Sequence, residues 1–393
     1  MPSSDGKTRD LVSSIPGSGW DFGLTRHPYF EIERPFGPHY CVYNRRLMAC
    51  CFDHIGTVDG YWRLRQKAAV LNTGEFPLQF KGKDAEKLLN KLFTKDISKV
   101  KTGRCGYGLA CYEDGGMITD GVFVRIEDDC YWYAQADGDF YSWARAHSKG
   151  LDVEISDPKV FVSQVQGPNA LKILEAASDD GIPSPFTYFG SARVNLGGQS
   201  VLITRTGYTN ELGWEFYTEP HHDAEALWEH LSEKGEAFGI GLFGLDSMHI
   251  RRIEAGILNA GSDFTEFTTP FQVGLGKFVD MDKDYFIGQE ALKSASKESQ
   301  LIGLLCPNAE PHIGGEILIL GDKQIGYVTA GAISPYLKSG IGIGYLRAAS
   351  HTEKTTVMIR CTDGELHAGE LADLPLYDKE AEIPRGKLVD IPS

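Results

Sequence analysis

The sequence predicts an α+β chain whose last third is all-β. Its 393 residues exceed the ~250–300 at which a single hydrophobic core stops growing, so two or three domains are expected. Helical and strand periodicities interleave up to about residue 295. Beyond that point short apolar runs alternate with Gly, Pro and Asp turns and no long helical pattern recurs. That texture belongs to a small barrel or sandwich. No period of 20–50 residues marks a solenoid.

The elements follow in order. Residues 1–26 are polar and rich in Gly and Ser, a loose arm. Residues 27–44, aromatic and punctuated by proline, read as extended segments packed onto something. Residues 57–70 read as a helix capped by Thr57 or Asp59. An alternating strand, 77–82, precedes a helical segment that places Leu88, Leu89, Leu92 and Phe93 on one stripe. Two strands between 105 and 126 are joined by a Glu113-Asp114-Gly115-Gly116 hairpin signal. A strand at 130–136 and a helix at 138–150 follow. Further strands fall within 152–165, 192–206 and 213–218, with one helix opening after Pro168 and another carrying Leu227, Trp228 and Leu231.

Composition excludes several classes. With 42% hydrophobic and 24% charged residues the chain is neither disordered nor fibrous. A net charge of −15 argues against general nucleic-acid binding, which needs a basic face. No apolar run approaches a membrane span, and the N-terminus lacks a signal-peptide core. A cytoplasmic protein with no membrane contact is therefore expected. The eight cysteines contain no C-x-x-C and no His-paired metal spacing. They read as structural thiols in a reducing compartment, and no metal site is expected.

Gly239, Gly241 and Gly244 match the dinucleotide fingerprint, but a helix precedes them and no βαβ unit surrounds them. A glycine-rich connector between helices is the better reading. No P-loop, H-E-x-x-H or G-x-S-x-G motif occurs.

Two acids stand out. Asp120 follows a hairpin near the start of an apolar strand, where Asp is depleted. It is either a solvent-facing strand residue or a carboxylate aimed into a cleft and tuned for proton handling. Glu215 alternates with Trp214 and Phe216. A buried carboxylate there needs a partner, and a flat heterocycle offering an N–H beside an exocyclic amine suits it. Guanine, adenine-like rings and pterins fit. Arg205, Arg252 and Glu254 sit in apolar surroundings and either form internal ion pairs or clamp an anionic tail.

An ordered series of short motifs resembles the family of the glycine-cleavage T-protein, the tetrahydrofolate-dependent one-carbon transferases. The series is Gly103 to Tyr107, Gly115 to Asp120, Gln166-Gly167-Pro168, Arg205 to Thr209 with Glu215, and Arg252 to Gly256. Pro270 to Leu275, Phe286 to Leu292 and Ser334-Pro335 complete it. Each piece is weak alone; eight in order are strong. The resemblance implies a three-domain cloverleaf around a central folate channel, with a C-terminal β-barrel. The expected divisions are an arm at 1–35, a discontinuous folate-binding domain at 36–80 and 156–290, a second at 81–155 and a barrel at 291–393. By motif, Asp120 takes the place of the catalytic aspartate, Tyr107 and Tyr208 line the pterin and its linker, Glu215 reads the pterin edge, and Arg252 lies in the matching R-x-E motif.

Departures narrow the substrate. Residues 70–77 replace the T-protein's Phe-Asp-Val-Ser-His-Met pattern, and Thr119 stands where the first of its paired aspartates would be. The aromatic-rich stretches look closer to the dimethylsulfoniopropionate demethylase branch, because cations lacking N–H donors are held mainly by ring faces. Trp20, Tyr40, Tyr43, Trp62 and Tyr188 are the candidates. The expectation is methyl transfer from a small sulfonium, quaternary ammonium or methoxy donor to N5 of tetrahydrofolate, the methyl acceptor. The competitors are an aminomethyltransferase with a lipoyl carrier protein as partner, a folate-binding accessory protein without activity, and an O-demethylase of methoxylated aromatics. A homodimer is a possible assembly.

Overall fold

The computed structural model describes residues 24–136, 138–319, 323–348 and 354–391, so most of the expected arm and Trp20 lie outside the described residues. The chain divides into two compact units. One holds residues up to 77, 158–207 and 211–247; the other holds 78–157, 208–210 and 248 onward.

The first unit is built on a six-stranded sheet. Its strands run in the order Ser191–Leu196, Gln199–Thr204, Gly213–Thr218, Phe161–Gln166, Ala68–Asn72 and Ile240–Leu242. Period-two alternation sorts the side chains. Val70, Val165, Ile203, Trp214 and Phe216 face a core with Ile173 and Leu174 of helix Ala170–Ala177 and Leu227 and Leu231 of helix Ala224–Gly235. Leu71, Gln164, Thr204 and Glu215 are the alternate residues, aligned across four strands on the other face. Strand Gly213–Thr218 is buried along its whole length, Glu215 included. The second helix is capped by Asp223, whose carboxylate accepts from Ala226 N–H at 3.1 Å.

Two local readings are corrected here. Phe30–Glu33 is a helical turn rather than extended chain, because Phe30 and Glu33 both bury their side chains at i and i+3. The glycine-rich connector contains a short strand, Ile240–Leu242, parallel to Ala68–Val70. At a sheet edge the ladder uses main-chain groups only, so three residues pair without a strand-like side-chain pattern.

The second unit contains a five-stranded sheet in the order Cys105–Cys111, Met117–Glu127, Cys130–Gln135, Phe76–Lys81 and Glu154–Ser156. The expected hairpin forms, with Gly115 at φ 88° in its turn. Leu88, Leu89 and Leu92 of helix Ala85–Leu92, with Phe93, are fully buried. Phe93 meets the rings of Tyr133 and Phe140 at 4.7 and 5.4 Å. Lys283 closes the helix end, its ammonium donating to the carbonyls of Asn90, Phe93 and Lys95.

The C-terminal strands form a closed six-stranded barrel, not a sandwich. Closure comes from Leu301–Cys306, which pairs with both Ser339–Leu346 and Leu366–Ala372. Its interior holds Leu304, Ile317, Val328, Ile359 and Leu371, with the thiols of Cys306 and Cys361 3.6 Å apart. None of the eight cysteines is in a disulfide. No helix among the described residues is long and apolar enough to cross a membrane.

Candidate active site

Asp120 lies opposite Leu109 in the hairpin register, and Tyr107 is two residues before Leu109. The two are therefore diagonal neighbours on one face of the pair, within reach of a long side chain. The Tyr107 hydroxyl donates to Asp120 Oδ2. Asp120 is buried, and among the described residues no cation neutralises it. Burial pushes its carboxyl up to about 6, against the pull of the Tyr107 hydrogen bond. Burial and the neighbouring carboxylate raise the Tyr107 hydroxyl far above the ordinary phenol range, so it donates a hydrogen bond and keeps its proton.

Tyr208 belongs to the same unit and is close enough to bear on the Tyr107 hydroxyl. Its own hydroxyl donates to the Leu258 carbonyl. Phe278 packs edge-on against Tyr107 at 4.7 Å. The second unit thus brings together Tyr107, Asp120 and Tyr208: a buried carboxylate bonded to one phenol, with a second phenol near the first.

In the first unit, Glu215 is directly opposite Thr204 on one side and Gln164 on the other. Its Oε2 accepts the Thr206 hydroxyl, and the Thr204 hydroxyl lies 3.4 Å away. Burial raises the Glu215 carboxyl above its usual range, and the two hydroxyls oppose the rise. No lysine or arginine pairs with it among the described residues. A buried carboxylate with only hydroxyl donors is an acceptor suited to a neutral N–H edge, which is the chemistry a pterin presents.

Arg252 is differently placed. Its guanidinium meets Asp263 Oδ2 at 2.5 Å and the Ile257 carbonyl at 3.1 Å. Asp263 also accepts from Thr329 at 2.5 Å. Both members of the ion pair are buried, an arrangement that matches the first of the two readings open to the arginine. Two residues on, Glu254 accepts from Ser334 and Tyr377 at 2.5 and 2.6 Å. The helix end Arg251–Glu254 ties several segments of its unit together.

The aromatic candidates for a methyl donor sit on one strand, one helix and one loop of the first unit. Tyr43 ends strand Pro38–Tyr43 and lies against Gly74. Trp62 is on helix Thr57–Gln66, edge-on to Tyr61 at 5.1 Å. Tyr188 is 39% exposed in a loop beside Phe189. Tyr40 donates to Glu33 at 2.9 Å and stacks on Phe30. The sequence reading missed the threonine donors to Glu215 and the aspartate partner of Arg252. Thr204 and Thr206 sit at period two on the strand running into Arg205-Thr206-Gly207-Tyr208, a signal available once Glu215 is placed beside that strand.

Glu219, His221 and His222 place ligand-type atoms within 4.8 Å of one another. His222 Nδ1 already accepts from the Glu219 N–H at 3.0 Å, and Nε2 meets the Ser200 carbonyl at 3.1 Å. Glu219 pairs with Arg193. The ring nitrogens of His222 and one carboxylate oxygen of Glu219 are thus engaged in hydrogen bonds within the loop.

Comparison with known proteins agrees with this framework. Residues 47–283 match the GCVT N-terminal domain and residues 300–378 the glycine cleavage T-protein C-terminal barrel domain. An aminomethyltransferase of Alkaliphilus oremlandii is 32% identical over 371 residues, covering 91% of this chain and 99% of that protein. A trimethylamine-oxide aldolase of Ruegeria pomeroyi is 32% identical over 368 residues and 89% of this chain. The chain spans only 46% of that relative's length. In fold, it is similar to the crystal structure of glycine cleavage system aminomethyltransferase T from Bartonella henselae. The TM-score is 0.81, with 23% identity over 91% of this chain and 99% of that one. Both stretches of the chain match in order, and it is an enzyme of the glycine-cleavage T-protein family.

Proposed function

We propose that the enzyme is a tetrahydrofolate-dependent demethylase that moves a methyl group from a small sulfonium, quaternary ammonium or methoxy donor to tetrahydrofolate. The observation that carries the folate part is Glu215, a buried carboxylate with hydroxyl donors and no cation. Glu215 would accept the pterin N–H and amine. When bound, tetrahydrofolate supplies N5 as the acceptor of the one-carbon unit.

The chain's own contribution is alignment and electrostatics. Asp120, held by Tyr107, stabilises positive charge and holds or releases a proton beside the ligand. Alignment of two bound reactants is worth up to ~7–11 kcal/mol in intramolecular models. The donor class is supported by Thr119 in place of a second acid and by a 32% identical relative named for a methylated amine oxide.

The second reading, an aminomethyltransferase that takes its one-carbon unit from a lipoyl carrier protein, draws on the relatives so named. The two differ in product. Purified enzyme is incubated with tetrahydrofolate and a panel of sulfonium, betaine and aryl-methoxy donors, and the folate is analysed by mass. 5-Methyltetrahydrofolate is expected. Methylenetetrahydrofolate and ammonia, formed only with an aminomethylated lipoyl protein, would establish the second reading instead. Folate binding without product from any donor would point to an accessory protein.

A further inference from the structure

Thr204, Thr206 and Glu215 form a directional chain. The Thr206 hydroxyl has one proton and donates it to Glu215 Oε2. The Thr204 and Thr206 hydroxyls lie 2.5 Å apart, so with the carboxylate ionised Thr204 is the donor to Thr206. Each hydroxyl in such a series polarises the next and strengthens the bond to the anion.

The backbone fixes this geometry. Thr204 is directly across the ladder from Glu215, and Thr206 continues the same face two residues later. The Thr206 carbonyl accepts from Gln166 Nε2 at 3.0 Å. Gly207 permits that approach: a Cβ there would lie 2.3 Å from the same nitrogen. β-Branching further restricts the rotamer of each threonine. Both hydroxyls approach Oε2, and Oε1 has no hydrogen-bond partner among the described residues.

We propose that Thr204 and Thr206 are positioning residues that hold Glu215 ionised and in one orientation, so that it selects a ring presenting an N–H together with an exocyclic amine. The inference rests on the folate reading and adds to it the groups that set its selectivity. A protonated Glu215 would lose an acceptor and present an O–H to the ligand amine. Burial favours that neutral form, and the hydroxyl chain is the local interaction opposing it.

The test is direct binding, measured by calorimetry with 5-formyltetrahydrofolate and with its 2-desamino analogue. Thr206→Val should weaken binding of 5-formyltetrahydrofolate about tenfold or more, as for a lost hydrogen bond to a charged group, and affect the analogue by less than about threefold. Thr206→Ser should restore affinity to within about twofold, because the hydroxyl returns. Thr204→Val, which leaves the direct bond in place, should cost about threefold and serves if Thr206→Val does not fold. Wild-type affinity in either valine variant, equal losses for both ligands, or failure of serine to rescue overturns the positioning role while the folate reading stands. A wild-type protein that binds neither ligand overturns both.

Discussion

Tyr107 and Asp120 are diagonal partners across the hairpin, and the phenol donates to a buried carboxylate that carries no other compensation from a charged side chain among the described residues. The carboxyl is thereby held at about 6, a value at which a proton is exchanged near neutral pH.

Asp120→Asn tests this directly. Turnover should fall by about 10²–10³. The fold should not suffer. Burial holds the native carboxyl at about 6, against an ordinary 3.8, so the stability linked to its proton is full below pH 3.8 and lost as pH rises through 6. The asparagine variant should therefore melt at or above the wild-type temperature at pH 8, with the difference shrinking at pH 4. Calorimetric scans at both values check it; unchanged turnover would remove Asp120 from the reaction.

Tyr107→Phe should leave Asp120 without its hydroxyl donor. The carboxyl would rise further, and the acid limb of the pH–rate profile should move alkaline by about 1 pH unit. A limb that stays in place assigns it to another group.

Arg252 and Asp263 should behave as a structural pair. Arg252→Met and Asp263→Asn are each expected to cost ~3–5 kcal/mol, because each leaves one buried charge alone. Urea titration of the singles and of the double variant measures the coupling. If Asp263→Asn is harmless while Arg252→Met abolishes folate binding, the arginine serves the ligand instead.

Glu33 supplies a second titration, in the first unit. It is buried among Tyr40 and Asn72, at 2.9 and 2.7 Å, and burial pushes its carboxyl up to about 7. Its raised value means that stability is present below pH 4.5 and lost as pH rises through 7. Glu33→Gln should raise the melting temperature relative to wild type at pH 8.5 and change it little at pH 4.5. An equal effect at both values would show that the carboxyl does not titrate there.

What was legible in the sequence had a local cause. The Leu88, Leu89, Leu92 stripe, the Glu113–Gly116 turn and the alternation around Glu215 are set by periodicity and turn chemistry within a few residues. The motif series around Asp120, Tyr208 and Glu215 was legible by its resemblance to the glycine-cleavage T-protein family, not by periodicity. The Ile240–Leu242 strand was not, because its partner lies about 170 residues earlier in the chain and its bonds are main-chain only.

By itself, then, the sequence determined an acidic α+β chain ending in β-structure, and singled out Asp120 and Glu215 as acids in apolar strands. Tertiary structure alone decided that the β-region closes into a barrel, that Arg252 meets Asp263, and that each acid is answered by hydroxyl groups. The physical reason is that burial and hydrogen bonding depend on which strands lie side by side. Neighbours in space set the charge state of a carboxylate, and neighbours in sequence do not.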